Sequence, residues 1–305
     1  MTIFRIAAML GSVVLLSACG GSSTNSDSGA ATRAISIPFE AYAGSTEISC
    51  DASLQGLGIG GADASLADFK IFIHDVRLVT DENTEIPVTL DDDNWQADGI
   101  ALLDFQNKGD SCNGDLKPIN TSLRGSVPNQ SVVIAGIRFR VGVPSSHNHN
   151  NVATAPTPLN LPGMFWNWQG GYKHLRFDVR PDGGVTRPAD GEWSNTTWNI
   201  HLGATNCTPD PRVDPNTPED VTCEYNNRPE ISLTGFDETA SAIRIDYAAL
   251  VIDDELSEDD GGAPGCMSGN TDPECINVFD NLGMTLGDAP GPANPQSVFS
   301  VVLQP

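Results

Sequence analysis

Phe69-Lys70-Ile71-Phe72-Ile73-His74-Asp75-Val76-Arg77-Leu78-Val79 is the stretch from which the fold can be read. β-Branched and aromatic residues dominate it, and it holds neither glycine nor proline, as a long extended strand requires. Counting by two places Phe72, His74, Val76 and Leu78 on one face, so the imidazole of His74 is expected to point into an apolar layer. A histidine buried there is neutral, which is also the form that binds metal. A hydrogen-bonded core histidine would leave the same pattern, and the stretch alone does not separate the two.

Four further segments repeat the alternation. Ile137, Phe139 and Val141 oppose Arg138 and Arg140, and Leu175, Phe177 and Val179 oppose Arg176, Asp178 and Arg180. Ile243, Ile245 and Tyr247 oppose Arg244 and Asp246, and Ser297 to Leu303 makes a last strand. Long runs rich in Pro, Gly, Asn and Asp lie between them, at 144–163, 181–195, 208–220 and 257–274. No amphipathic helical stripe of three turns stands out, and 276–283 is the one short helix expected. The pattern predicts a mainly β, β-sandwich-like domain with little helix and long disulfide-tied loops that carry the function.

Residues 1–18 read as a lipoprotein signal peptide: Arg5 opens it, Ile6 to Leu16 is too short to span a membrane, and Leu16-Ser17-Ala18-Cys19 matches a lipobox. Cys19 is then the lipidated residue. Residues 19–33 are small and polar, a flexible tether. The folded domain is expected over 34–305. Gly20 and Gly21 follow the cysteine, which favours the outer membrane, on its periplasmic or surface face.

The chain carries 16 Lys and Arg against 40 Asp and Glu, a net charge of −24. Such a polyanion excludes nonspecific binding to nucleic acid and is repelled by anionic headgroups, so contact with a membrane falls to the lipid. The six cysteines after Cys19 form an even set in an exported chain, which predicts disulfides. Cys207–Cys223 and Cys266–Cys275 would close short Pro- and Asp-rich loops, with Cys50–Cys112 as the long bridge. The acidic runs Asp253-Asp254-Glu255 and Glu258-Asp259-Asp260 offer calcium ligands but lack EF-hand spacing, and read as solvated loops.

Imidazole donors without thiolates suit copper, zinc or nickel. Besides His74, His147 and His149 follow a strand in Ser145-Ser146-His147-Asn148-His149-Asn150, and His201 is edge-exposed or site-facing. His174 shares a face with Arg176 and Asp178 and is expected to be exposed. Met164-Phe165-Trp166-Asn167-Trp168-Gln169-Gly170-Gly171-Tyr172 concentrates aromatic rings that suit either core packing or sugar stacking. The second use would make the chain a noncatalytic surface module for carbohydrate or protein. No nucleophile elbow, phosphate-binding loop, HExxH or Cys-x-x-Cys-His occurs, so no enzyme chemistry is expected.

Taken in order, Ile37-Pro38-Phe39, Phe72-Ile73-His74-Asp75-Val76-Arg77-Leu78, Leu102-Leu103-Asp104-Phe105, Cys112-Asn113-Gly114, Gly142-Val143-Pro144, Asn148-His149, the Met164–Tyr172 run, His201-Leu202-Gly203, Cys207, Cys223 and Asn227-Arg228 resemble the successive blocks of the MbnP-like family. These are the metallo-mystery-pair four-Cys proteins, with the methane oxidisers' copper-repressible surface proteins as relatives. The resemblance covers about Ser36 to the C-terminus. It implies an exported copper-binding protein working beside a di-haem cytochrome c peroxidase-like partner that oxidises a tryptophan to kynurenine. It also implies His74 and His149 as copper ligands, with His201 as a further ligand or a structural residue. The four-Cys motif maps to Cys50, Cys112, Cys207 and Cys223, leaving Cys266 and Cys275 as an additional pair. In relatives the modified tryptophan lies close before the first histidine, where this chain has Phe72; either Trp166, Trp168 or Trp198 takes its place, or the chain has no such modification and binds copper more weakly.

Overall fold

The strand Ala62–Thr80 is the spine of the molecule. Nineteen residues at roughly 3.3 Å each make it too long for one neighbour per edge, and successive partners share each side. Along one edge lie Ser53–Leu57, Ile100–Asp104 and Glu85–Pro87. Along the other, Lys173–Pro181 pairs with Ala64 to Ile71, and Ile134–Val141 takes over from Ile73 to Thr80. At the seam between those two strands the N–H of Gly142 donates to the Phe72 carbonyl at 2.7 Å. The chain from 142 to 172 leaves and returns there.

In this computed structural model, residues 31–166, 170–208, 221–292 and 294–304 are described. The signal segment, Cys19, the tether up to residue 30 and Trp168 lie outside them. Strand structure begins at Thr32, two residues ahead of the boundary expected at Ala34.

Two sheets face each other. The larger runs Glu230–Thr234, Ile134–Val141, Ala62–Thr80, Lys173–Pro181, Trp198–Gly203 and Gly265–Cys266. The smaller runs Phe299–Leu303, Ser241–Asp246, Thr32–Ala43, Ser122–Pro128 and Thr89–Leu90. Their inner faces interdigitate as a β-sandwich. Phe139 of the larger sheet meets Phe39 and Phe299 of the smaller edge-on, with ring centroids 5.7 and 5.6 Å apart. Ile137, Phe139, Val141, Leu175, Phe177, Val179, Ile243, Ile245 and Tyr247 all fall in this core, on the face their alternation predicts. The expected short helix forms as Glu274–Asn281.

The alternation of the spine strand departs from the simple count. Asp75 adopts a left-handed φ of 52°, and the pairing shifts there by one residue, with Arg138 opposite Arg77 but Arg140 opposite His74. This is a β-bulge, and it exchanges the faces. Val76 and Leu78 face the sandwich core with Ile71 and Ile73. Phe72 instead belongs to a second apolar cluster with Ile100, Leu102, Val143, Leu159, Met164 and Tyr172. By strand parity His74 shares its side. The histidine therefore sits on the outer face of the large sheet, under the chain that leaves at the seam. It does not face the main core with Val76 and Leu78 as the uniform count had it.

All three disulfides form with the expected pairing: Cys50–Cys112, Cys207–Cys223 and Cys266–Cys275. Among the described residues no helix is long and apolar enough to cross a membrane.

Candidate metal centre

His74 closes the first half of the spine strand, just before the bulge. Its Nδ1 lies 2.7 Å from the Gly142 carbonyl oxygen, a contact only a protonated Nδ1 can make. Nε2 then carries the lone pair, the tautomer that a backbone carbonyl fixes in metal-ligating histidines. The residue lines an open cleft of about 500 Å³ with Asp75, Arg140, Ser145, Asn226 and Arg228. Burial draws its pKa down to about 4, so the ring is neutral at physiological pH.

His149 comes from the loop. Its neighbour Asn148 accepts the Tyr172 N–H on Oδ1 at 3.1 Å, which ties the loop back to the start of the returning strand. Gly171, at φ +83°, has no room for a side chain: a Cβ there would meet Asn148 Nδ2 at 2.6 Å and His149 Cε1 at 3.0 Å. His149 is buried, and burial lowers its pKa to about 4. Its Nδ1 has no hydrogen-bond partner; Nε2 lies 3.2 Å from both Asn148 Nδ2 and Cys223 Sγ, so Nδ1 holds the lone pair only in the tautomer whose Nε2–H points at the sulfur. Of the two loop histidines, this one turns inward, while His147 stays half-exposed beside Ser146.

His174 corrects the sequence reading. It was expected to be exposed; it is wholly buried, with Gly142, Val143 and Asn226 closing over it. Both of its nitrogens are engaged: Nδ1 accepts the Val143 N–H at 3.2 Å and Nε2 donates to the Asn226 carbonyl at 3.1 Å. It has no nitrogen left to ligate. Gly142, at φ +112°, packs directly against it, with a hypothetical Cβ 2.5 Å from its Cγ. One glycine thus supplies the carbonyl that orients His74 and the flat surface that seats His174.

Burial takes His174 down to about 3, and the charges of Arg228, His74 and His149 act in the same direction. Gly142, whose carbonyl meets His74, packs on His174, and the His149 ring lies against Gly171, three residues before His174; the charge of Arg228 lowers the pKa of all three histidines. Arg228 donates to the Val143 carbonyl, Ser145 Oγ and Asn226 Oδ1, all neutral acceptors. His174 and Arg228 are the functional neighbours the sequence reading missed. The adjacency of Gly142 to a long loop was the available signal for the first.

The sulfurs of Cys207 and Cys223 lie within 4.8 Å of a His149 nitrogen, and His149 Nε2 is 3.2 Å from Cys223 Sγ. These sulfurs are joined to each other, so neither is a thiolate. The cystine forms a wall of the site and is not a ligand pair. As donors, two neutral imidazoles would suit copper, zinc or nickel better than a hard cation.

His201 stands apart. Its Nε2 donates to Asp178 Oδ1 at 2.8 Å, inside an outer-face network where Arg176 bridges Asp178 and Asp68 at 2.7 and 2.9 Å. Burial holds its pKa below the usual value, and the charges acting on it are Asp178, Lys173 and Arg176, none of them a histidine. Trp166 is only 3% exposed and lies over Gly203, where a Cβ would meet its ring at 2.1 Å. It offers no open face for a sugar. Trp198 is fully buried in the main core.

The fold is a mainly β sandwich with two buried histidines at its outer face, one from a sheet strand and one from a loop packed on a cystine. The MbnP family model matches residues 32–268, and the chain belongs to that family. The solved structure of MbnP from Methylosinus trichosporium superposes with a TM-score of 0.79 at 31% identity, over 90% of this chain and 99% of that one. No curated protein matches the chain in sequence. Family membership carries a metal-related role.

Proposed function

We propose that the chain is a noncatalytic, lipid-anchored copper-binding protein of the outer membrane that acquires or stores the metal through His74 and His149. What supports this reading is that two imidazoles are buried and held neutral on either side of the Gly142–His174 contact, His74 with its Nδ1 anchored on a carbonyl beside a cleft and His149 with an unpartnered Nδ1. Copper supplies the electrophile that these lone pairs satisfy. The protein's own part is orientation: the Gly142 carbonyl fixes one ring, and Asn148 with the cystine fixes the place of the other. The di-haem cytochrome c peroxidase-like partner implied by the family resemblance would act on a tryptophan, with Trp166, Trp168 and Trp198 as the candidates.

Purified mature protein should bind about one copper per chain, since the two imidazoles would share a single ion. The double variant His74→Ala/His149→Ala should bind none, while His201→Ala, outside the cluster, should retain it. Stoichiometric binding by the double variant would remove the site. Intact mass of natively expressed protein reads the lipid on Cys19 and any oxidised tryptophan in the same measurement.

A further inference from the structure

The acidic runs expected to be solvated loops are not fully so. Asp254 is only 4% exposed and Glu274 8%, and both border a cavity of about 170 Å³ rimmed by Asp253, Glu255, Glu258 and Asp260. Asn277 donates to Asp254 Oδ1 at 3.1 Å, and the Asp260 N–H donates to Glu274 Oε1. The second oxygen of each carboxyl, Asp254 Oδ2 and Glu274 Oε2, has no partner, and neither has Oδ1 of the adjacent buried Asp272. The nearby Asp259 is neutralised, because Arg187 Nε meets its Oδ1 at 2.6 Å. Among the described residues no basic side chain pairs with Asp254, Asp272 or Glu274.

Leaving a buried carboxylate uncompensated costs several kcal/mol, and buried polar atoms are nearly always satisfied. Two of these unpartnered carboxyl oxygens, Asp254 Oδ2 and Glu274 Oε2, belong to buried residues that border this one cavity. The geometry points to a divalent-cation site, best suited to Ca²⁺, with Asp254 and Glu274 as its buried ligands and the rim carboxylates completing it. The donors are all hard oxygens, with no imidazole or sulfur among them. Without the ion, no three carboxylate oxygens among the described residues lie within 4.8 Å of one another, so the rim must close as the ion enters. Calcium, with six to eight oxygens in flexible geometry, tolerates such closure, whereas magnesium demands near-ideal octahedral placement.

The test uses the full mature chain, stripped with a chelator and titrated with CaCl₂ at pH 7.5 by calorimetry and thermal melting. One Ca²⁺ per chain and a raised Tm are expected, with Mg²⁺ binding at least tenfold more weakly. Asp254→Asn and Glu274→Gln should each weaken Ca²⁺ binding tenfold or more. Without calcium, Asp254→Asn should melt no lower than the parent, since the amide removes an uncompensated charge; a carboxylate with only a structural role would lose stability there. No heat and no Tm shift up to about 10 mM Ca²⁺, beyond the weakest range of extracellular calcium modules, would overturn the site. Parent-like affinity in both variants would do the same.

Discussion

Copper uptake at this centre should be nearly indifferent to mild acid, and the reason lies in the burial of its two ligands. An ordinary histidine titrates near 6.5, so on going from pH 7.5 to 5.5 its neutral fraction falls from about 0.9 to about 0.1. Two such ligands acting together would lose roughly a hundredfold in apparent affinity over that interval. His74 and His149 are held instead at about 4, each chiefly by desolvation. At pH 5.5 only about 3% of each ring is then protonated, so the pair loses less than about a tenth of its affinity. Near pH 4 each ring is half protonated and the loss reaches about fourfold. Competition with a chromophoric copper chelator of known pH dependence, run from pH 7.5 to 4, reads the curve directly. A hundredfold fall between 7.5 and 5.5 would refute the burial argument, even if copper were bound tightly at neutral pH.

The same shifts make the metal-free protein sensitive to acid: the folded pKa values lie below the unfolded 6.5, so stability is full above about 6.5 and is lost as pH falls towards 4. Chelated protein should show Tm falling across that window, and a Tm that rises there would reverse the sign. Arg228→Gln should raise the pKa of His74, His149 and His174 together, because its charge lowers all three; imidazole proton shifts in an NMR titration check this, and unchanged values would sink it. Gly142→Ala forces a Cβ to 2.5 Å from His174 at φ +112° and should cost roughly 2–4 kcal/mol in denaturant unfolding, with copper affinity falling as the His74 anchor shifts. Replacing Cys207 and Cys223 by alanine opens a loop of 16-residue separation. It should cost about 3 kcal/mol and weaken copper binding through His149, and a parent-like Kd would separate the cystine from the centre.

The sandwich was legible because its inner faces are written in strict alternation, from Ile137 to Val141, Leu175 to Val179 and Ile243 to Tyr247. Short loops rich in Pro and Asp likewise gave the cysteine pairs. The centre was legible only in its ligands. A period-2 count cannot see a bulge, and the left-handed Asp75 moved His74 to the side opposite Val76. Exposure of His174 was inferred from its charged neighbours Arg176 and Asp178, yet a strand's outer face is solvent-exposed only if no loop covers it. Whether 142–172 would fold back is a tertiary fact carried by a second cluster drawn from Phe72, Ile100, Tyr172 and the loop's own Leu159 and Met164. The buried carboxylates failed for a related reason: Asp254 and Glu274 are twenty residues apart in sequence and meet only once the Glu274–Asn281 helix is in place.

Because two strands divide one edge of the Ala62–Thr80 spine, the thirty or so residues that emerge between them are an insertion the sandwich does not need for its own hydrogen bonding. Architecture and chemistry are thereby partly uncoupled: the sheet carries His74 and His174, the excursion contributes His149, and Arg228 with the cystine closes the site from elsewhere in the chain. A scaffold partitioned in this way can change its cargo without refolding.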